Sequence, residues 1–526
     1  MKNKLILLVI ILFGFGLRVW QVGKLPAILN RDEAAIAYNA YLLKETHQDE
    51  WGRSWPLTLE SFGDFKLPGY PMLVTGLFYF FELNDLVVRL PSVLAGTALI
   101  WLAYLWGKKI FDQPEHALLG AAMIAVTPVF FFYSRIAFEA NVALTLLVGA
   151  LYCLFLIKPS GKFDALGLIL IALANFTYNT PFLLLPFITI LLILSRGLKQ
   201  WQKWLAPVLG LISIFLIFSI IFVPLTSQKK GITIFNDETT WNNYIQYRSS
   251  FTSLWLQKTV GNRWVYNVEL AGKRLIDTFS YRFLVSQGGS HPWHALPGKG
   301  HIYLLNYLLG WLGLVVLFIS LAKIISQRET AKSITPIKPD MVMGILLFVS
   351  LLPSIVTVDS PHATRSLLFF YLFIILGIRN WELINHYLIK RLKLSHSLTF
   401  ILIILMLFIE SSLYLYRYFS YYPDHQPASL KVGLKETVQE VEQKYPDHQI
   451  AYVDGQGYDY ILVAWYNKTS ATDFFQSINK QLPDKIGFRY GDRLTHYHFI
   501  ADSKDRAESE TILVEWDGLK WSIKEF

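Results

Sequence analysis

Long, predominantly apolar runs with charge confined to their ends recur along this chain, and such a run can only pack inside a core or span a bilayer. They cover Leu5 to about Gln21, then roughly 86–106, 117–133, 140–157, 164–180, 182–195, 204–224, 303–322, 341–358, 365–378 and 397–417. Most reach the length of about 20 residues that a hydrocarbon layer of about 30 Å demands, while 182–195 and 365–378 are short enough to be tilted or broken. A soluble chain of 526 residues does not carry 53% hydrophobic and 15% aromatic residues against 17% charged ones, nor a mean hydropathy of +0.37. The expected fold class is a polytopic α-helical membrane protein with about eleven transmembrane helices.

Loop charge sets the expected orientation. With the amino terminus inside, alternate loops carry Lys108 and Lys109, Lys158 and Lys162, Arg196, Lys199 and Lys203, then Lys323, Arg328, Lys332 and Lys338, then Arg379, Lys390, Arg391 and Lys393. The opposite short loops hold little beyond Arg135 and Arg365, which is the asymmetry of the positive-inside rule. The net charge of +9 is thereby assigned to loops, with no need of nucleic acid. The first run follows Lys2 and Lys4 like a signal peptide, but Arg18 and Trp20 stand where small cleavage-site residues belong, so it reads as an uncleaved first helix. An odd number of spans places the carboxyl terminus outside.

Three long segments then fall outside: 24–70, about 225–300, and 421–526. The last has the pattern of a small extracytoplasmic α/β domain behind a membrane domain over 1–420. Leu434, Val438 and Val441 form a helical stripe, Ile450 to Val453 a strand, and Ile512 to Ile523 a hairpin around Asp517-Gly518. Cys153 is the one cysteine, set in an apolar run; it excludes a disulfide framework and reads as a small buried hydrophobe.

Ionisable groups in the apolar segments gather near outer ends: Arg18, Asp85, Arg89, Arg135, Glu139, Arg365 and Glu410. Ion-coupled transporters place such groups near the midplane, so this pattern points to chemistry at the outer headgroup level. The segment around Asn30-Arg31-Asp32-Glu33 is the prime candidate. Asn30 is placed to cap a helix over 31–44, with Glu33 reaching back as in a capping box and Ile36, Ala40 and Leu43 as a narrow apolar stripe. Asp32 then sits in the first turn, where the helix dipole favours an ionised, proton-accepting carboxylate. The competing reading is a solvated acidic face. Asp64 and Lys66 precede the rigid turn Pro68-Gly69-Tyr70-Pro71 and can be held at the same level. Arg89 either snorkels to headgroups or binds phosphate, Arg135 and Glu139 form an outer corner whose plain reading is a local pair, and Arg365 enters an apolar helix, where a cation calls for an anionic partner.

Taken together, Arg31-Asp32-Glu33, Asp64-Phe65-Lys66-Leu67-Pro68, Arg89-Leu90-Pro91-Ser92 and the corner from Ser134-Arg135 to Asn141 resemble the membrane-embedded GT-C glycosyltransferases. Within them the chain is similar to the protein O-mannosyltransferases and the bacterial transferases that add aminoarabinose to lipid A. The resemblance spans roughly 1–420 and is strongest over 1–160; His291-Pro292-Trp293-His294-Ala295-Leu296-Pro297-Gly298 resembles a turn of bacterial members. It implies a GT-C fold in a bacterial cytoplasmic (inner) membrane and a polyprenyl-phosphate-sugar donor. Transfer would go, with inversion, to a hydroxyl of an envelope lipid, glycan or protein on the outer side. The family's base falls on Asp32, with Glu33 beside it as catalytic partner or helix cap. The acid–lysine pair falls on Asp64 and Lys66, here separated by Phe65. Lys66, Arg365, Arg89 and Arg135 are the implied donor-phosphate contacts, and Asp64, Tyr70, Glu139, His294 and His362 the substrate contacts.

No cofactor is firmly implied. His291, His294, His301 and His362 lie on or near external segments but match no compact zinc spacing, which leaves a divalent metal open without assigning one. Asp454-Gly455-Gln456-Gly457 lacks a Rossmann fingerprint and reads as a tight turn. A glycoside hydrolase could use the same carboxylates but would not need eleven spans. The alternatives to sugar transfer are a lipid-linked sugar flippase or transporter, which should show a polar midplane path, and a non-catalytic scaffold that binds cell-wall glycan.

Overall fold

The computed structural model describes residues 2–226, 233–289, 291, 293–328, 337–392, 395–484 and 487–526. Of the residues singled out above, Pro292, Lys332 and Lys393 lie outside that set, as do the side chains of Lys323, Arg328, Lys390 and Arg391.

Every apolar run is helical. Among the described residues four helices are long and apolar enough to cross a membrane: Asp85–Ile110, Glu139–Leu156, Trp201–Thr226 and Ser397–Asp424. Shorter apolar helices include Pro114–Val126, Thr180–Arg196, Leu304–Ser320 and Pro339–Ile355. The run expected at 117–133 breaks at Thr127-Pro128, where proline removes a backbone donor and a second short helix, Pro128–Tyr133, begins. Many side chains of the long helices, such as Ile220, Phe408 and Leu413, are exposed, as lipid-facing positions are.

The segment 24–70 differs from a surface piece. Its helix, Arg31–Thr46, is buried almost all round, from Glu33 to Ala40 and again at Leu42 and Leu43. The narrow stripe expected from Ile36, Ala40 and Leu43 is thus corrected: the small residues Ala34, Ala35, Ala37 and Ala40 let neighbours close on several faces. One neighbour is the short helix Gly69–Phe78, where the sequence suggested only a turn; the other is Asp459–Tyr466 from the C-terminal region. The three share one hydrophobic cluster.

Beyond Asp64 the chain pairs β2 (Asp64–Lys66) with β1 (Leu59–Ser61) in an antiparallel hairpin. The C-terminal region builds a six-stranded mixed sheet. In chain order its strands are β3 (Ile450–Val453), β4 (Asn479–Lys480), β5 (Gly491–Leu494), β6 (Tyr497–Ile500), β7 (Ile512–Trp516) and β8 (Trp521–Glu525). Their spatial order is β4-β5-β6-β3-β7-β8, with β3 parallel to both neighbours and β7–β8 a hairpin closed at Gly518. Gly518 has φ +100°, a conformation glycine adopts without a Cβ penalty.

This region is fastened to the first loop and to the start of the helix Asp85–Ile110 by buried polar bonds. Tyr460 donates to Glu50 Oε2 at 2.8 Å, and Lys480 pairs with the same carboxylate at 3.1 Å. Trp465 Nε1 donates to Asp85 Oδ1 at 2.8 Å, and Leu29 N donates to the Tyr466 hydroxyl at 2.8 Å. Each would leave an unpaired buried polar group if broken, so the contacts act as specific anchors.

Candidate active site

Asn30 caps the helix Arg31–Thr46 as its sequence suggests. Its Oδ1 accepts from Asp32 N at 2.9 Å and Glu33 N at 3.1 Å, and Glu33 Oε2 returns the favour to Asn30 N at 3.0 Å. Glu33 has further partners: Arg89 Nε at 2.9 Å and Ala137 N at 2.7 Å. It is 1% exposed and buried beneath the helix start, so the expectation that it is catalytic is corrected; its oxygens tie three segments together.

Arg89 is corrected with it. Its guanidinium is fully buried and donates to the carbonyls of Val22, Pro26 and Ile28 at 2.8–3.0 Å as well as to Glu33, leaving no donor for a phosphate. Arg135 is likewise fully buried and spends its donors on the Tyr418 hydroxyl and the carbonyls of Leu17, Arg18, Trp20 and Leu25. Tyr70, expected to touch substrate, is fully buried and donates to Val88 O at 2.9 Å. The two guanidiniums satisfy carbonyls of the segment between the helices Lys2–Val19 and Arg31–Thr46, at Trp20, Val22, Leu25, Pro26 and Ile28, a structural need that spacing alone does not reveal.

Asp32 faces the other way, into a cavity of about 410 Å³. One wall is the β1–β2 hairpin with Asp64 and Lys66. The second is the start of the helix at Glu139, and the third is the loop around Asp359, His362 and Arg365; His294 completes it. Lys66 Nζ lies 2.9 Å from Asp32 Oδ1 and 3.9 Å from Glu139 Oε1. Burial works against the charge on Lys66, but the carboxylates of Asp32, Glu139 and Asp64 outweigh it and hold its pKa above the ordinary lysine value. The ammonium is therefore a fixed cation at neutral pH.

Across the cavity, Arg365 donates to the Thr357 hydroxyl at 2.7 Å and comes within 4.0 Å of Asp359. Arg274, on the helix Arg263–Thr278, holds this loop from behind by donating to the carbonyls of Ile355, Thr357 and Val358. The imidazoles of His291, His294 and His362 cluster with ring centroids 4.9–5.2 Å apart. Burial pushes the pKa of each below the ordinary histidine value, and neighbouring positive groups add to that, so the rings are neutral at physiological pH.

Of the residues expected at the site, the fold brings Asp32, Asp64, Lys66, Glu139, His294, His362 and Arg365 together around one space. Several more line it that the sequence left without a role. Arg31 lies between the Trp293 and Tyr458 rings, 5.8 and 4.7 Å from their centroids. Tyr178 and Asn179 enter where the helix Gly161–Thr177 gives way to the next. The signal was present as a polar Tyr-Asn-Thr-Pro break at the end of an apolar run, which proline forces open.

An acid held beside a lysine, with a second cation and neutral imidazoles opposite, can take a proton from a hydroxyl and receive an anion. The helix Glu139–Leu156, long and apolar enough to cross a membrane, begins at one wall. Among the described residues, four helices long and apolar enough to cross a membrane accompany this site. Residues 66–223 match the family described as dolichyl-phosphate-mannose-protein mannosyltransferase, which bears out the resemblance read from the sequence.

Among solved structures, the chain is similar to the apo oligosaccharyltransferase of Archaeoglobus fulgidus, at 13% identity and TM-score 0.48, over 88% of this chain and 63% of that one. It is similar to the same organism's AglB in complex with an inhibitory peptide and a dolichol-phosphate, at 12% identity and TM-score 0.48, over 89% and 63%. It is also similar to ArnT from Cupriavidus metallidurans bound to undecaprenyl phosphate, at 11% identity and TM-score 0.48, over 89% of this chain and 84% of that one. The chain thus spans less than two thirds of the archaeal enzyme's length. No curated protein matches it.

Proposed function

We propose that this protein transfers a sugar from a polyprenyl-phosphate-linked donor to a hydroxyl acceptor at the outer face of the bacterial cytoplasmic membrane. The observation that carries the reading is the Asp32–Lys66 pair at 2.9 Å, which shares with Arg365 a cavity that reaches the start of the apolar helix Glu139–Leu156. Asp32 takes the proton of the acceptor hydroxyl as that oxygen attacks the anomeric carbon. The bond from that carbon to the phosphate oxygen breaks in the same displacement, and Lys66 and Arg365 stabilise the charge gathering on the departing lipid phosphate. One displacement inverts the anomeric configuration and needs no covalent enzyme intermediate. Asp64, Glu139, His294 and His362 line the space where the sugar would lie. In this reading residues 1–420 carry donor and chemistry, and residues 421–526 form an external module above them.

The test is mass spectrometry of lipid-linked sugars and envelope glycans from cells with and without the protein. Accumulation of one polyprenyl-phosphate sugar together with loss of one glycan supports the reading and names both substrates; unchanged pools of both overturn it. Purified protein in liposomes should convert that donor, and Asp32→Asn should not.

A further inference from the structure

The candidate active site contains a group of side chains that base and phosphate contacts do not use. His291, Asp359 and His362 come from two loops separated by a long stretch of sequence, yet each places one ligand atom within 4.8 Å of the others. We propose that these three residues bind a divalent metal ion of the zinc type at the wall of the cavity. The proposal rests on the glycosyl-transfer reading only for the metal's use, not for its binding.

The donor set is the first argument. Two imidazoles and a carboxylate are the ligand types zinc takes, and three protein ligands leave a fourth position for water or substrate. Tetrahedral bonds of about 2.0–2.1 Å put ligand atoms roughly 3.3 Å apart, so the group must contract. It can do so cheaply, because the Asp359 side chain is 45% exposed and His291 is only half-buried.

Positioning is the second. His362 is held at both ends: its backbone N donates to Ser354 Oγ at 2.9 Å, and its Nδ1 meets the Thr364 hydroxyl at 2.9 Å, which itself accepts from Tyr178 at 3.2 Å. A ligating histidine is ordinarily oriented in this way through its second nitrogen, which leaves Nε2 for the metal. Arg274 fixes the loop from behind through three carbonyls. A plain aromatic cluster needs none of these polar restraints.

Arg365 decides where the ion's open position leads. It stands 4.0 Å from Asp359 and lines the same cavity. A metal dication beside a guanidinium is stable when an anion bridges them, and a phosphate oxygen can fill the metal's fourth position while another faces Arg365. The site therefore deepens the reading above by adding a metal to the surfaces that would receive a lipid phosphate.

The experiment uses the full chain in detergent, stripped with chelator and dialysed against zinc or cobalt without any sugar donor. Elemental mass spectrometry should find about one zinc per chain, and cobalt should give the intense visible bands of a four-coordinate site. Asp359→Asn, an exposed change that preserves shape, and His362→Ala should each weaken binding by at least tenfold. Thermal unfolding of both variants, compared with the parent, confirms that they are folded. Absence of stoichiometric metal in the parent overturns the proposal, and so does undiminished binding in folded variants. Because metal content is read without turnover, a failure of sugar transfer leaves this result standing, and the reverse holds as well.

Discussion

Lys66 Nζ lies 2.9 Å from Asp32 Oδ1, although the two residues come from a hairpin strand and a helix start that share no backbone pairing. The contact places an acid and a cation at one point of the cavity wall. Asp32→Asn should lower the rate of transfer by about 10²-fold or more, the usual worth of a positioned general base, with little change in donor affinity. Single-turnover kinetics and donor binding, measured on the same preparation, check both halves.

The two arginines expected to touch phosphate should separate cleanly. Arg365→Ala should raise the donor KM by about tenfold or more while leaving the fold intact, since a charge-assisted hydrogen bond is worth roughly 1.5–3 kcal/mol. Arg89→Met leaves Glu33 buried without its partner and should cost about 3–5 kcal/mol of stability. Thermal unfolding in detergent should fall for Arg89→Met and stay near the parent value for Arg365→Ala.

Gly63 closes the hairpin that carries Asp64 and Lys66. It has φ +78°, and a Cβ there would meet the Gly487 carbonyl oxygen at 2.0 Å. Gly63→Ala should therefore push the hairpin off the C-terminal region, at a backbone cost of roughly 1–2 kcal/mol before any clash. The expected outcome is a lower unfolding temperature together with reduced transfer.

His301 gives a pH dependence of stability. Burial between Phe283 and Phe370 pushes its pKa down to about 3, and among the described residues its Nε2 has no hydrogen-bond partner. The unfolded chain binds a proton there near pH 6.5, whereas the folded one does not. Stability from this group is thus complete above about pH 6.5 and is lost progressively as pH falls toward 3. His301→Phe should flatten that part of the profile, read from unfolding temperatures at pH 5 and pH 7.5.

Much of the fold could be read from local pattern. The apolar runs are helices because a bilayer-length run has few other ways to satisfy its backbone, and the capping box at Asn30 and Glu33 is local chemistry. The roles of the arginines could not be read in this way. Arg89, Arg135 and Arg365 have the same position relative to their runs, at ends expected to lie outside, yet two are absorbed by backbone carbonyls and one lines the cavity. What separates them is which distant loop passes nearby, and no spacing encodes that. The same reason hides His291, Asp359 and His362, which meet only after the two loops are packed. The helix Gly69–Phe78 is not legible because its Pro68-Gly69 start is also the signature of a turn.

The bonds from Tyr460 and Lys480 to Glu50, and from Trp465 to Asp85, have an implication for engineering. A truncated or chimeric protein whose tail was exchanged for another would strand two buried carboxylates, Glu50 on the first loop and Asp85 at the start of the helix Asp85–Ile110. Alterations of this region call for changes within the native tail, with those fastenings kept in place, since the tail serves as a keystone for the loop beneath it.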